Sequence, residues 1–380
     1  MRHLRWTWPI LLLVVLFGTS WGCHVMQPDR ELRMVVVDKT VPFENRIEHR
    51  SLYWLLNHLS LVQSDGTRFD RDEDYRGAFP GPIPGDPPER TESLTREDTE
   101  ANDVIYLADT YGVYREDLES GEEMKAALER SPKIYGGLEF DEARVVQEAF
   151  RSGKTILAEF NSMASPTGGG PRRILEETVG VRWTRWIGRY FASLESREEV
   201  PEWMRRNYRN EWKREWEFRG PGYVLVRDDD AIEVLTVGNE AKRVSLRLSR
   251  AEPHDPLLRK AGDNIAYPYW FDVVTPDSDV EVLATYTWDL TDKGFARLRA
   301  RGLPATFPAV TRKLGPGGGT AYYFAGDFAD NPMSDRRVPL AGYLTVKRWT
   351  EWVRMGPSEN EFYWTFYVPM MERILAPHLR

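Results

Sequence analysis

The chain has 380 residues, 41% hydrophobic and 12% aromatic, enough to bury a large core in roughly two domains or one domain with insertions. Its formal charge of -8, without a basic stripe, argues against a nucleic-acid binder, because a phosphate-tracking surface needs clustered Lys and Arg. The single cysteine, Cys23, removes Cys-His catalysis, cysteine-based zinc sites and internal disulfides from the folded body.

The chain opens with basic residues, Arg2, His3 and Arg5, then an apolar run from Trp6 to Phe17 and the small residues Gly18, Thr19, Ser20 and Gly22. Residues 1–23 therefore predict an export signal or an N-terminal membrane anchor. The run is shorter than the roughly 20 residues that comfortably span a bilayer, unless Trp6, Trp8 and Trp21 serve as interfacial ends. Cys23 after Gly22 is placed like the acylated cysteine of a bacterial lipoprotein, although Ser20 and Trp21 depart from that motif. Each version puts the main body outside the cytoplasm, in the cell envelope or exported, with the membrane as a partner through this segment.

Residues 32–38 form a Val-rich run ending at Asp38, which reads as a first buried parallel strand. Leu52, Leu55, Leu56 and Leu59 then recur at helical spacing, so a helix over 48–61 returns across the sheet. Residues 64–100 are so rich in Asp, Glu, Arg, Gly and Pro that they predict a long surface excursion without a regular element of length. A second apolar strand, 103–109, ends in Asp109-Thr110-Tyr111. Asp141 is a plausible N-cap for a helix running to Gly153, and Thr155 to Glu159 is a third strand ending before Asn161-Ser162. Gly168-Gly-Gly170 reads as a flexible loop before a helix that begins at Pro171 and stops at Gly180.

This alternation predicts an α/β fold: an open, mostly parallel sheet flanked by helices, with right-handed crossovers. Residues 31–180 would be the first part of the core. Residues 181–279, crowded with Trp183, Trp186, Trp203, Trp212 and Trp216, read as a β-rich insertion with core tryptophans. Residues 280–380 would return to the core through strands at 280–286 and 320–327, a tight turn at Gly315 to Gly319, and a closing helix despite Pro369.

In an open α/β sheet, ligands bind beyond the carboxyl ends of the strands, where strand order reverses. That rule collects Asp38, Lys39, Asp109, Thr110, Tyr111, Glu159, Asn161 and Ser162 on one rim, with Asn45 and His49 above the first strand. Each aspartate equally suits a turn or helix-start cap. Glu159 needs a partner or solvent, which Lys39 or an arginine between Arg182 and Arg189 would supply as a structural ion pair. His49 and His58 lack the three-to-five spacing usual for a metal pair, so no metal and no cofactor is expected.

The segments Val35 to Pro42, Glu48 to Asn57, Ile105 to Tyr114, Ile134 to Leu138 and Ala158 to Ser162 resemble bacterial envelope proteins whose core looks like the class I glutamine-amidotransferase-like, flavodoxin-like domain. Such a domain carries a cysteine at the elbow after a central strand. Here Asn161-Ser162 stands in that place, so the resemblance implies a scaffold without glutamine hydrolysis. Two functions follow. One is non-catalytic: holding a small molecule, a glycan or a protein on the polar rim. The other is a hydrolase in which Glu159 and either Asp109 or Asp38 divide acid and base roles. A Ser162 nucleophile is weaker, because Glu159-Phe-Asn does not make the GxSxG elbow and no histidine has a place beside it.

Overall fold

The computed structural model of the chain describes residues 4–81, 86–118, 132–331, 338–354 and 360–380. Met1 to His3 of the basic leader and residues 82–85 of the proline-rich excursion lie outside them. The architecture is mixed α/β, with one large sheet carrying helices and a second, smaller sheet against it.

Five parallel strands form the heart of the large sheet: β1 (Met34–Asp38), β2 (Tyr75–Phe79), β4 (Val104–Asp109), β5 (Thr155–Glu159) and β14 (Thr320–Phe324). They lie side by side as β2-β1-β4-β5-β14, with the short antiparallel β3 (Arg90–Thr91) on the outer edge of β2. Strand order therefore reverses between β1 and β4. β1, β4 and β5 are buried along their whole length, which explains why each reads as a continuous apolar run rather than an alternating one.

β2 corrects the expectation that residues 64–100 hold no regular element. Tyr75, Ala78 and Phe79 are buried and the strand pairs with β1 at Val36, Val37 and Asp38. Pairing to a preformed neighbour outweighs the unfavourable local composition. Gly77 is the key to that pairing, because a Cβ there would fall 1.6 Å from the carbonyl oxygen of Asp38. The excursion also contains α3 (Arg96–Ala101), started by a Thr95–Asp98 capping box.

α2 (Ile47–His58), α4 (Phe140–Arg151) and α5 (Gly169–Val179) flank the parallel strands. Glycines 169 and 170 are the first turn of α5 rather than a loop, with Gly168 as N-cap and Gly180, at φ 72°, closing the helix. Past β14 the sheet continues antiparallel through β13 (Thr306–Leu314), β12 (Glu281–Leu290), β9 (Ala241–Arg250) and β10 (Ile265–Ala266). β9 and β10 thus belong to the main sheet although they fall within 181–279. The turn at Gly315 to Gly319 joins β13 to β14.

The second sheet has the order β8 (Ile232–Thr236), β7 (Gly222–Arg227), β6 (Val181–Phe191), β11 (Phe271–Pro276), all antiparallel. α6 (Glu202–Trp212) covers it over a small core of Phe191, Val200, Met204, Val224 and Ile232. Trp183 and Trp186 are buried in the main core. α7 (Asp292–Ala300) links β12 to β13, and α8 (Tyr343–Val353) precedes the closing helix α9 (Val368–Leu375). The chain enters α9 through a π-helical turn, Tyr363–Tyr367. Proline cannot donate to the carbonyl four residues back and its ring clashes with it, so the wider turn lets the helix run on through Pro369.

At the other end, α1 spans Leu4–Val25. Among the described residues no helix is long and apolar enough to cross a membrane.

Candidate functional site

The reversal of strand order brings the carboxyl ends of β1 and β4 together, and Asp38 is the register partner of Asp109. The two are joined by Thr40: its amide donates to Asp38 Oδ1 at 2.9 Å, and its hydroxyl donates to Asp109 Oδ1 at 2.9 Å. Asp109 also accepts from the Tyr111 amide at 2.5 Å and, through Oδ2, from the Asn161 side chain at 3.4 Å. Burial nevertheless pushes its carboxyl up to about 7, with the Asp38 charge adding to the effect. Asp38 lies against His49, whose Nδ1 is 2.5 Å from Oδ2 while Nε2 is 2.9 Å from the Arg71 carbonyl oxygen. A carbonyl only accepts, so Nε2 carries a hydrogen and a further proton lies between Nδ1 and Asp38.

Four of the expected rim residues are turned to structural work. Lys39 runs inward to an ion pair with Glu142, Nζ to Oε2 2.7 Å, with both side chains buried. Glu142 also accepts from the amides of Glu139 and Leu94 at 2.8 and 3.1 Å, capping α4. Among the described residues Glu159 takes no ion partner. It accepts the hydroxyl of Tyr106, itself 3.0 Å from the Tyr367 hydroxyl, and the amides of Phe328 and Ala329 at 2.9 and 3.1 Å. Burial raises its carboxyl to about 8. Ser162 is fully buried and its hydroxyl donates back to the Glu159 carbonyl at 2.6 Å. Thr110 is buried as well, within reach of Asn161 O at 3.2 Å and Thr167 Oγ1 at 3.2 Å.

Asn161 sits at φ 66°, in the left-handed region that an asparagine tolerates better than most residues. This is the sharp turn after a central strand, where a nucleophile would be presented. Here the turn presents an amide, partly exposed and directed at Asp109. Tyr111 is exposed beside it and packs on Tyr114.

Sequence reasoning missed the opposite wall. Asp327 and Asp330 follow β14, and the carboxyl of Asp327 hydrogen-bonds to that of Asp330. Two carboxyls can do this only when one is protonated, and burial together with the neighbouring Asp330, Asp109, Glu159 and Glu48 holds Asp327 well above the usual carboxylate range. Glu48, from the first turn of α2, is raised in the same way by burial and by Asp38, Asp330 and Asp109. Its Oε2 has no hydrogen-bond partner among the described residues. Arg189 and Arg50 oppose the effect at Asp330. The Asp327 amide donates to the Trp270 carbonyl at 3.1 Å, and the half-buried Trp270 ring stacks on Phe160 at 6.0 Å, with the Arg189 guanidinium over the ring at 5.8 Å. The signal that marked Asp38 and Asp109, an apolar strand running into an aspartate, was present at Asp327 too. Among the described residues no group of three or more His, Cys, Asp or Glu is arranged to hold a metal ion.

No family model matches the sequence, and no curated protein matches it. Among solved structures, the chain is similar to a ThuA-like protein from Bacteroides uniformis, at 9% identity and a TM-score of 0.36, over 78% of this chain and 82% of that one. It is similar to a cytoplasmic protein from Salmonella typhimurium at 10% identity and a TM-score of 0.36, over 92% and 100% of the two chains. It is also similar to a β-galactosidase from Rahnella sp. R3, at 12% identity and a TM-score of 0.33, over 78% of this chain and 28% of the enzyme.

Proposed function

We propose that the chain is a ligand-binding protein of the bacterial cell envelope that holds a small polar molecule or glycan fragment bearing an amino group. On this reading the parallel strands are a flavodoxin-like sheet, in chain order 2-1-3-4-5, and the ligand occupies the crevice at the reversal point. The observation that carries it is the crowding of Glu48, Asp327, Asp330 and Asp109 beside the turn that presents the partly exposed Asn161. An ammonium group placed among these carboxyls would replace mutual repulsion with attraction and accept the role the shared proton now plays.

The elbow supplies no nucleophile, since Ser162 is turned inward and Glu159 is fully engaged. Isothermal titration of the full chain with glucosamine, N-acetylglucosamine, glucose and spermidine tests the reading. The amine-bearing compounds are expected to bind, with affinity falling about tenfold or more in Asp327→Asn and Asp330→Asn. Equal binding of glucose and glucosamine, or unchanged affinity in both variants, would overturn it.

A second reading, a carboxylate-dependent glycan hydrolase, is favoured by the hydrogen-bonded Asp327 and Asp330, because a carboxyl pair that shares one proton holds an acid and a base ready together. Release of new reducing ends from envelope glycan fragments, lost in Asp327→Asn, would move the conclusion to this reading.

A further inference from the structure

α8 is amphipathic in the wrong sense for a helix on a water-facing surface. A helix packed on a globular body buries its apolar stripe and shows its charges. In α8 the residues facing the body include Lys347 and Arg348: Lys347 Nζ lies over the rings of Tyr343 and Trp364 at 5.8 and 5.5 Å, and Arg348 pairs with Glu372 of α9 at 3.6 Å. The face turned outward carries Val346, Trp349, Trp352 and Val353, which are 57%, 60%, 81% and 45% exposed. At 100° per residue these four fall within about a third of the helix circumference.

The root of α8 is also where α1 joins the body. Ser20 of α1 donates its hydroxyl to the Ala341 carbonyl at 2.9 Å and accepts the Ala341 amide at 3.0 Å, two residues before α8 begins. His24 packs on His58 at 5.1 Å, and His58 in turn on Tyr343 at 5.6 Å. From this root α1 runs outward with every residue from Leu11 to Phe17 exposed and apolar. Two apolar surfaces therefore leave the protein from one place.

We infer that Val346, Trp349, Trp352 and Val353 seat the protein on the surface of a lipid bilayer, with α8 in the interface plane beside the apolar run of α1. Eleven residues are far too few to span hydrocarbon, but the face suits interfacial burial, where tryptophan's amphipathic ring sits at headgroup level. Continuity with α1 favours lipid over a protein partner: a bilayer takes up both surfaces at once. The inward pairing of Lys347 and Arg348 means that apolar insertion, rather than anionic headgroups, drives the contact. This inference stands apart from the ligand reading.

The test uses the full chain in a Cys23→Ser background, with an environment-sensitive fluorophore placed through Trp349→Cys or, separately, Trp352→Cys. On addition of vesicles of phosphatidylethanolamine and phosphatidylglycerol, both labels are expected to shift to the blue and to be quenched by lipids brominated along their acyl chains, with little dependence on salt. A Trp349→Glu/Trp352→Glu variant, whose unchanged thermal melt establishes folding, should need roughly tenfold more lipid for half-maximal flotation. Labels that stay water-exposed while the protein floats through α1 would overturn the inference. So would a blue shift without vesicles that grows with protein concentration, which would make a second copy of the chain the occupant.

Discussion

His49 Nδ1 lies 2.5 Å from Asp38 Oδ2 in a site where both side chains are fully buried. The pair binds the start of α2 to the end of β1, and the Nε2 contact with the Arg71 carbonyl extends the tie to the approach of β2. Removing one partner leaves the other buried and unmatched. His49→Ala is therefore expected to lose about 2–4 kcal/mol of stability. Asp38→Asn in the same chain should add less than its own separate effect, because the two belong to one network. Denaturant titration of the two single variants and the double variant measures the coupling.

Glu159 was the foremost catalytic candidate in the sequence, and its environment makes a different prediction. Its two oxygens accept from Tyr106 and from two amides of the segment after β14. At pH 9, where the carboxyl is ionised, Glu159→Gln puts an NH₂ donor where a donor already points, so about 1–3 kcal/mol of stability should be lost. In a titration with an amine-bearing ligand at a temperature where the variant is folded, affinity should change by less than in Asp330→Asn.

Buried carboxyls set the dependence of stability on pH, and Glu48, Asp327 and Asp330 act in the same direction as the three that follow. Asp109 and Asp272 are raised to about 7 and Glu159 to about 8, in each case chiefly by burial. Folding thus favours their protonated forms. Their stabilising contribution is complete below the ordinary carboxylate range and is lost as pH rises through about 7 to 8, because the native state then holds protons that the unfolded chain has released. Melting temperature is expected to be several degrees higher near pH 5 than near pH 8.5, and Asp109→Asn should flatten the profile. A melting temperature that rises steadily with pH would contradict this assignment.

Gly77 faces the Asp38 carbonyl so closely that a Cβ would stand 1.6 Å from its oxygen. Gly77→Ala must push β2 away from β1, and the shift falls beside Asp38. A loss of about 2–4 kcal/mol is expected, with hydrogen exchange at Tyr75 to Phe79 rising before that of β4.

Much of the central sheet was legible because β1, β4 and β5 are covered on both faces, so burial writes itself into uninterrupted Val, Ile and Leu. Their polar ends marked Asp38, Asp109 and Asn161 by the same logic. β2 was hidden because its partner, not its composition, makes it a strand. The inward turn of Lys39 depends on Glu142, a residue whose capping-box role at the start of α4 shows only once Glu139, rather than Asp141, is seen to be the N-cap. The wall formed by Glu48, Asp327 and Asp330 joins a helix start near one end of the sequence to a loop far along it. No spacing rule within either segment announces that meeting, which arises from β14 pairing with β5.

That pairing also sets a timetable. β14 is the last parallel strand to leave the ribosome, yet it closes the sheet beside a strand made far earlier, and the residues that follow it supply both the clasp on Glu159 and one side of the crevice. A nascent chain lacking them has β1, β4 and β5 without the crevice. The crevice therefore takes shape only after nearly all of the polypeptide has been synthesised.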